Sequence, residues 1–281
     1  MPADAADGLA IVAGRGALPR LLAETCRAQG RSYQVVVFDG VELDWLAGHP
    51  AIRAAFEKPG RLFADLRAAG CRRVTFAGGL DRPQLSPARF DLKMLRLAPR
   101  LLAGIKGGDD ATLRLVAGIF EAEGFAVEAP QAILPDLVAG AGVLGRHGPT
   151  DDDRADVARA AAIVAALGAV DVGQGAVVAG GICLGLESIQ GTDALLAFVA
   201  RTPPELRPAG ARGVLYKAPK PGQDRRVDLP AIGPGTLERA AAVGLAGVAV
   251  EAGGVMILDY AGAVAAADAA GLFLWAREAG S

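Results

Sequence analysis

Residues 9–19 read Leu-Ala-Ile-Val-Ala-Gly-Arg-Gly-Ala-Leu-Pro, and this stretch decides the fold of the first half of the chain. Its first five residues are apolar and predict a buried strand that ends at Gly14-Arg15-Gly16. Pro19 follows where a helix would begin, and proline is well tolerated at a first helical position. Strand, glycine turn and helix in this order predict the opening of an α/β domain.

The same alternation continues outward from this stretch. Apolar runs at 35–38 and 73–77 predict two further buried strands, and a helix at about 109–123 is followed by a strand at 125–127. Strands that alternate with helices favour a parallel sheet with helices on both faces. We therefore expect an α/β domain over residues 1–135.

The second half begins after a glycine-rich segment. Residues 136–150 lack periodicity and predict a linker between two domains. Thr150 and Asp151 are expected to cap a helix at 153–167, because carboxylates favour the first turn. Strand candidates at 176–179, 182–186, 213–216, 248–250 and 255–258 then predict a second α/β domain over 151–281.

The composition excludes several classes of protein. Apolar residues make up 52% of the 281, aromatic residues only 5%, and the formal net charge is -2. Without a basic field or stacking aromatics we expect no nucleic-acid binding. The three cysteines, Cys26, Cys71 and Cys183, have no CxxC spacing and are expected to be small buried residues in a reducing compartment. With no signal peptide and no apolar run long enough to span a bilayer, we expect a cytoplasmic protein.

The Gly14-Arg15-Gly16 turn is open to three interpretations. With Asp39 after the second strand it resembles a dinucleotide fingerprint, although Pro19 replaces the third glycine. It could equally be a phosphate site formed by free backbone N–H groups, or a turn without a ligand. Gly78-Gly79 and the turn at 107–110 are expected at the same edge of the sheet.

A second charged region lies in the loop at 217–230, which we call the 217–230 loop. Four cations, two carboxylates and three prolines lie between a predicted strand and a predicted helix, which suits either anion binding or a solvated turn. Upstream, Thr192 and Asp193 could cap a helix, or the helix N-terminus could hold a phosphate while a carboxylate holds a metal. With only two histidines in the chain, any metal must have oxygen ligands, which indicates Mg²⁺ or Mn²⁺.

Taken together, these motifs resemble those of the LpxI family of UDP-2,3-diacylglucosamine pyrophosphatases. The shared stretches are IVAGRGALP at 11–19, GGDD at 107–110, QGAVVAGG at 174–181, GTDALL at 191–196 and KAPKPGQDRRVDLPAIGPGT at 217–236. The last is long and highly specific. Two positions depart from the family pattern: Arg15 stands where a small polar residue is common, and Gln190 stands where an acid often precedes the GTD.

The resemblance implies a Rossmann-like N-terminal domain and an unusual C-terminal α/β domain. It also implies Mg²⁺-dependent hydrolysis of UDP-2,3-diacylglucosamine to UMP and lipid X, by attack of water on the β-phosphorus, in lipid A biosynthesis. Asp224 is then the essential aspartate, and Asp224 and Asp193 are the metal candidates. The substrate-binding candidates are Lys217, Lys220, Gln223, Arg225, Gly14, Gly16, Gly79 and Thr192.

The implied place of action is the cytoplasmic face of the inner membrane, with peripheral contact, and a homodimer is expected from the habit of soluble enzymes. Two other hypotheses stay open on the sequence. One is an NAD(P)-dependent oxidoreductase that uses the Gly14–Asp39 unit. The other is a protein that binds the nucleotide or the lipid without catalysis.

Overall fold

The computed structural model describes residues 7–80, 84–105 and 109–279, and the chain divides into two compact units. The first contains Met1–Pro135 together with Arg226–Asp228, and the second contains Asp136–Arg225 and Leu229–Ser281. Each unit is an α/β structure with its own sheet and its own apolar core.

The first unit is built on a parallel sheet of order β3-β2-β1-β4-β5. Its strands are β1 (Gly8–Ala13), β2 (Tyr33–Phe38), β3 (Ala51–Ala54), β4 (Cys71–Ala77) and β5 (Ala126–Val127). Its helices are α1 (Leu18–Ala28), α2 (Pro59–Ala68), α3 (Leu92–Ile105), α4 (Asp109–Ala122) and α5 (Pro130–Ile133).

The burial of the central strand β1 explains why the sequence predicts it. Every residue of β1 is buried, because β1 lies between β2 and β4 and both faces of the sheet are covered. One face packs against α2 and α4, where Phe63 and Phe120 meet edge to face at 5.1 Å between ring centroids. Because β1, β2 and β4 are parallel, the turns that follow them lie at one edge of this sheet.

The second unit is built on a mixed sheet of order β6-β13-β11-β9-β7-β8. Its strands are β6 (Gly142–Val143), β7 (Gly175–Ala179), β8 (Ile182–Leu186), β9 (Val214–Lys217), β11 (Gly247–Glu251) and β13 (Phe273–Arg277), with β10 (Ala231–Ile232) and β12 (Met256–Ile257) in a separate two-stranded sheet. Its helices are α6 (Asp151–Ala169), α7 (Gly191–Val199), α8 (Pro234–Ala242) and α9 (Tyr260–Ala270).

Alternating residues of β7 serve the two faces of this mixed sheet. Val178 packs with Val157 and Val164 of α6, whereas Val177 packs with Leu196 of α7 and Leu237 of α8. Period-two alternation of this kind is the expected pattern of a strand that is covered on both sides.

The helix predicted over 153–167 spans Asp151–Ala169, with Thr150 as its N-cap as predicted and with Asp153 in place of Asp151 as the capping partner. The Thr150 hydroxyl accepts a hydrogen bond from the Asp153 amide at 3.2 Å, and the Asp153 carboxylate accepts one from the Thr150 amide at 2.9 Å. This is a capping box. Asp156, two turns further on, is buried and accepts from the amides of Gly180 and Gly181, which fixes the β7–β8 hairpin turn.

Several elements differ from the prediction. Strands β3, β6, β10 and β13 were not predicted. Residues 136–150, predicted to be a linker, lie in the second unit, where β6 pairs with β13. Cys183 is exposed rather than buried, because it lies on the outermost strand of its sheet. The Gly107-Gly108 part of the predicted turn lies outside the described residues. Among the helices described, none combines the length and the apolar character needed to cross a membrane.

Candidate functional site

A buried ion pair lies beneath the start of the 217–230 loop. Lys217, the last residue of β9, is only 3% exposed, and its Nζ lies 3.3 Å from Oε1 of Glu187, which is 5% exposed. The same Nζ donates to Thr192 Oγ1 at 2.6 Å and to the Ala231 carbonyl at 3.3 Å. Lys217, a predicted substrate ligand, is thus held by side chains of its own unit.

Gly175 makes the room for this pair. It stands opposite Lys217 in the β7–β9 register, and its carbonyl accepts from the Glu187 amide at 2.8 Å. A Cβ at this position would lie 2.3 Å from Glu187 Oε2, so the glycine is needed for close approach. Oε2 is buried and has no hydrogen-bond partner among the described residues, a costly arrangement for a carboxylate oxygen.

The role of Thr192 corrects the capping interpretation. Helix α7 has Gln190 at its N-cap and no side-chain cap hydrogen bond. Thr192 instead accepts from Lys217 and donates toward Glu187 Oε1 at 3.3 Å. Its hydroxyl therefore links the start of α7 to the end of β9.

The 217–230 loop is shaped by a turn over residues 220–223. Pro221 and Gly222, with Gly222 at φ +76°, occupy the middle, and the Gln223 amide donates to the Lys220 carbonyl at 3.1 Å. Proline followed by a positive-φ glycine is the pattern of a type II turn. The Gln223 side chain, predicted to bind substrate, is 8% exposed and accepts from the Lys220 amide at 2.9 Å. Gln223 thus braces the turn immediately before Asp224.

The charged residues of this loop differ in burial and in ion-pair partner. Asp224 is half-buried directly after the turn. Arg225 Nη2 lies 2.7 Å from Oε1 of Glu251, at the end of the neighbouring strand β11. Lys220 Nζ contacts Asp171 after helix α6.

Glu251 also influences the hydroxyl of Tyr216, which precedes Lys217. Burial raises the pKa of the Tyr216 hydroxyl, and the negative charge of Glu251 adds to the rise. Tyr216 therefore stays protonated at neutral pH.

Asp193 and Asp224 are the two predicted metal ligands. Asp193 is 63% exposed and lies 3.4 Å from Arg239 Nη2. In the part of the chain that the structure describes, no three His, Cys, Asp or Glu side chains come together as a metal site would require. A site with only one or two carboxylates fits an ion like Mg²⁺, which proteins often bind through one or two carboxylates together with substrate phosphates and water.

The Gly14–Gly16 turn and the Gly78–Gly79 turn meet at one edge of the sheet of the first unit, as predicted. Arg15 donates its amide to the Gly79 carbonyl at 2.8 Å, and the Gly79 amide donates to the Arg15 carbonyl at 3.2 Å. A Cβ on Gly14 would lie 2.4 Å from the Gly79 carbonyl oxygen, so only glycine allows this approach. The amides of Gly14 and Arg15 are both used inside the protein, which leaves Gly16, at φ +97°, to shape the turn. The Gly14 and Arg15 amides are therefore not free to bind a phosphate, and the assignment of Gly14, Gly16 and Gly79 to substrate binding stays a prediction.

A pocket of about 470 Å³ opens at this edge of the first unit. Arg89 lies in its wall, with Nη2 3.2 Å from Asp39 Oδ2 and Nη1 3.7 Å from Glu57 Oε1. Phe56 also lines the pocket and stacks on Phe38 at 3.9 Å between centroids. The carboxylates of Asp39, Glu42 and Glu57, the guanidiniums of Arg15 and Arg89 and the ring of Phe56 give this pocket the means to bind a polar ring compound.

Sequence reasoning did not identify Glu187, Glu57 or Arg89 as site residues. Glu187 carries a weak signal, because a carboxylate that directly follows an apolar run at a strand end is exposed to ligands in many α/β sheets. Glu57 and Arg89 lie in segments without periodicity, so no pattern marks them.

Comparison with known proteins covers both units. Residues 8–137 match the model of the LpxI N-terminal domain, and residues 140–275 match that of the LpxI C-terminal domain. The chain is 41% identical over 268 residues to the UDP-2,3-diacylglucosamine pyrophosphatase LpxI of Caulobacter vibrioides, covering 95% of this chain and 96% of that protein. Both parts of the chain therefore match the domains of one family in the same order.

Proposed function

Because the chain belongs to the LpxI family, we propose that it hydrolyses UDP-2,3-diacylglucosamine, the compound in its relative's name, to UMP and 2,3-diacylglucosamine 1-phosphate (lipid X), as a step of lipid A biosynthesis. The observation that carries the proposal is the 41% identity, which extends over 95% of the chain and includes both units. A shared fold alone would not support a shared activity, but 41% identity over 95% of the chain does.

The proposed reaction is a hydrolysis in which water attacks the β-phosphorus. A bond forms between the water oxygen and this phosphorus, and the bond from phosphorus to the bridging oxygen breaks. The bridging oxygen leaves with UMP, and the proton lost by water passes to a carboxylate. Asp224 is the proposed carboxylate, since it is half-buried directly after the turn that Gln223 braces.

Positive charge in the same loop suits the substrate's pyrophosphate. Arg225 is half exposed while its guanidinium is held by Glu251, so it is oriented and yet accessible. A guanidinium binds phosphate oxygens in pairs better than an ammonium does. We assign Arg225 and Lys220 to the phosphates, and Lys217 and Thr192 to holding the loop.

Mg²⁺ is part of the proposal as an ion that Asp224 would help to hold. When bound, the ion would neutralise charge that develops on the phosphate oxygens. The exposure of Asp193 and its pairing with Arg239 make it a weaker ligand candidate than Asp224.

The pocket at the edge of the first unit has, by itself, groups that suit a nucleoside. The two ribose hydroxyls can donate to the carboxylates of Asp39 and Glu57, and Phe56 offers an apolar face to the base. The oxidoreductase alternative receives no support here, because the Gly14 and Arg15 amides that a dinucleotide phosphate would use are bonded to Ala77 and Gly79.

The test is turnover of UDP-2,3-diacylglucosamine by the purified protein with Mg²⁺, followed by the release of UMP. Asp224→Asn should reduce kcat by at least about a hundredfold, the lower range for a general base. Asp228→Asn is the matched control, since Asp228 is half-buried in the same loop. If the protein binds the substrate but UMP never accumulates, the non-catalytic hypothesis replaces this one. Equal loss in both variants would remove the special role of Asp224.

A further inference from the structure

Glu251 is the last residue of strand β11, the neighbour of β9 in the mixed sheet. In the parallel register of these two strands Val250 pairs with Lys217, so Glu251 stands beside the residue at which the 217–230 loop leaves β9. The Glu251 side chain is only 14% exposed. Ligands of α/β sheets bind at the carboxyl ends of such strands, which makes this carboxylate a neighbour of the candidate site.

The turn that follows Glu251 fixes the position of its side chain. The Gly254 amide donates to the Glu251 carbonyl at 3.1 Å, and the Ala252 amide donates to the Arg277 carbonyl at 2.8 Å. A Cβ on Gly254 would lie 2.6 Å from Glu251 Oε1 and 3.0 Å from Pro219 Cδ, so the glycine leaves room for the carboxylate and the loop together. The carboxylate is therefore held close to the 217–230 loop by local backbone geometry.

One oxygen of this carboxylate binds the guanidinium of Arg225. Arg225 Nη2 lies 2.7 Å from Glu251 Oε1, while the arginine side chain as a whole is 51% exposed. A guanidinium presents its five N–H groups in a fixed plane, so a hydrogen bond to one of its nitrogens restricts the direction of that plane. Because Arg225 directly follows Asp224, Glu251 sets the direction of a cation next to the proposed carboxylate.

The exposure of Arg225 distinguishes this pair from one that only stabilises the fold. Water screens ion pairs with an exposed member, and such pairs contribute little to stability. An arginine that is oriented before its ligand arrives loses less side-chain freedom on binding, which favours the bound state. The charge of Glu251 itself repels a phosphate, so its two effects on anion binding have opposite signs. The guanidinium between them neutralises most of this charge, and we expect orientation to dominate.

We propose that Glu251 is a positioning residue, which orients the Arg225 guanidinium for the pyrophosphate of the substrate. The inference rests on the proposed function, because the pyrophosphate belongs to the substrate named there. Glu251 touches no phosphate in this arrangement and acts only through Arg225. Its removal should therefore weaken the binding of a diphosphate only while Arg225 is present.

A double-mutant cycle on ligand binding tests this without turnover. The variants are Glu251→Gln, Arg225→Gln and the two together, and the probe is uridine diphosphate (UDP) with Mg²⁺, measured by calorimetry. We expect the dissociation constant to rise at least about tenfold in Arg225→Gln, because a charged hydrogen bond to phosphate is lost. It should rise at least about fivefold in Glu251→Gln and no further in the double variant than in Arg225→Gln alone. Tighter binding in Glu251→Gln, or an equal further loss in the Arg225→Gln background, would overturn the proposal.

Asp268 supplies a matched control in the same unit. Its side chain is also 14% exposed, and its Oδ2 lies 3.1 Å from Nε of the exposed Arg146. Asp268→Asn should leave the dissociation constant for UDP unchanged, and an equal loss in this variant would contradict a specific role of Glu251. Glu251→Asp keeps the charge and withdraws it from Arg225 by one methylene, so it should weaken UDP binding at least about twofold even if Glu251→Gln does not fold. Unchanged binding in Glu251→Asp would contradict a dependence on position.

Turnover gives a second readout that a purely structural role would not move. We expect kcat/KM for UDP-2,3-diacylglucosamine to fall at least about fivefold in Glu251→Gln, while the pH profile of kcat keeps its inflection, since Asp224 is intact. A displaced inflection would make Glu251 part of the proton transfer and contradict a positioning role. If the unmodified protein binds UDP and does not cleave the substrate, the proposed function fails, and the UDP cycle still decides the role of Glu251. Absence of UDP binding to the unmodified protein would overturn the assignment of Arg225 and, with it, that of Glu251.

Discussion

The buried pair of Glu187 and Lys217 allows a sharp prediction about stability. Glu187→Gln keeps the shape of the side chain and removes its charge, which leaves the Lys217 ammonium buried beside the Thr192 hydroxyl and the Ala231 carbonyl without the charge of Glu187. Removal of one member of a buried ion pair typically costs about 3–5 kcal/mol. Since both side chains are less than a tenth exposed, solvent screens this effect very little.

We therefore expect Glu187→Gln to lower the free energy of unfolding of the second unit by about 3 kcal/mol, or its melting temperature by roughly 6–12 °C. The double variant with Lys217→Met replaces both charges with neutral groups of similar size and should recover to within about 1 kcal/mol of the original protein. Urea unfolding followed by Trp275 fluorescence in a Trp45→Phe background reports on this unit. A double variant as unstable as the sum of the two single variants would refute the reasoning.

Two further predictions concern the first unit. Gly14→Ala should destabilise this unit by about 1–3 kcal/mol, because the new Cβ would lie 2.4 Å from the Gly79 carbonyl oxygen. Gly118→Ala is the control: it lies in open space on helix α4 and should stabilise the unit by about 0.5–1 kcal/mol. Thermal unfolding compares the two variants, and equal effects would contradict the close approach at Gly14. Glu123 has a pKa below its usual range, chiefly because it accepts a hydrogen bond from Lys93. The ionised Glu123 therefore stabilises the fold fully above the unfolded-state pKa near 4.5, and this stabilisation is lost as the pH falls through the lower folded-state pKa. We expect Glu123→Gln to lower the free energy of unfolding by about 1 kcal/mol at neutral pH and to leave it unchanged at the acid end. Urea unfolding measured at a series of pH values tests this.

Much of the α/β architecture could be predicted from the sequence because its strands are covered on both faces. The apolar runs of β1 and β7 are unbroken for this reason, and the glycines of the first turn follow from a close approach of two backbones. The Pro221-Gly222 pair likewise predicts its turn, since proline fixes one dihedral angle and glycine permits the next.

The elements that sequence reasoning missed have little pattern of their own. β6 is two residues long and is held by its pairing with β13, so its local sequence carries no strand signal. β13 does contain an apolar run, Phe-Leu-Trp, which the prediction overlooked. Short strands of this kind depend on tertiary pairing more than on local propensity.

The buried part of the candidate site depends on pairings between distant segments. Glu187 and Lys217 are 30 residues apart in sequence and meet because β7 pairs with both β8 and β9. The charge density of the 217–230 loop marked the region, but it did not show that Lys217 points into the protein. Knowledge of the strand order is required for that step.

The most direct test of the central claim is hydrolysis of UDP-2,3-diacylglucosamine in ¹⁸O-labelled water with Mg²⁺, followed by mass analysis of both products. Attack of water at the β-phosphorus predicts label in the phosphate of lipid X and none in UMP, with release of both products strongly reduced in Asp224→Asn. Label in UMP would mean attack at the α-phosphorus and would contradict the proposed reaction. Full activity of Asp224→Asn would contradict the assignment of that residue.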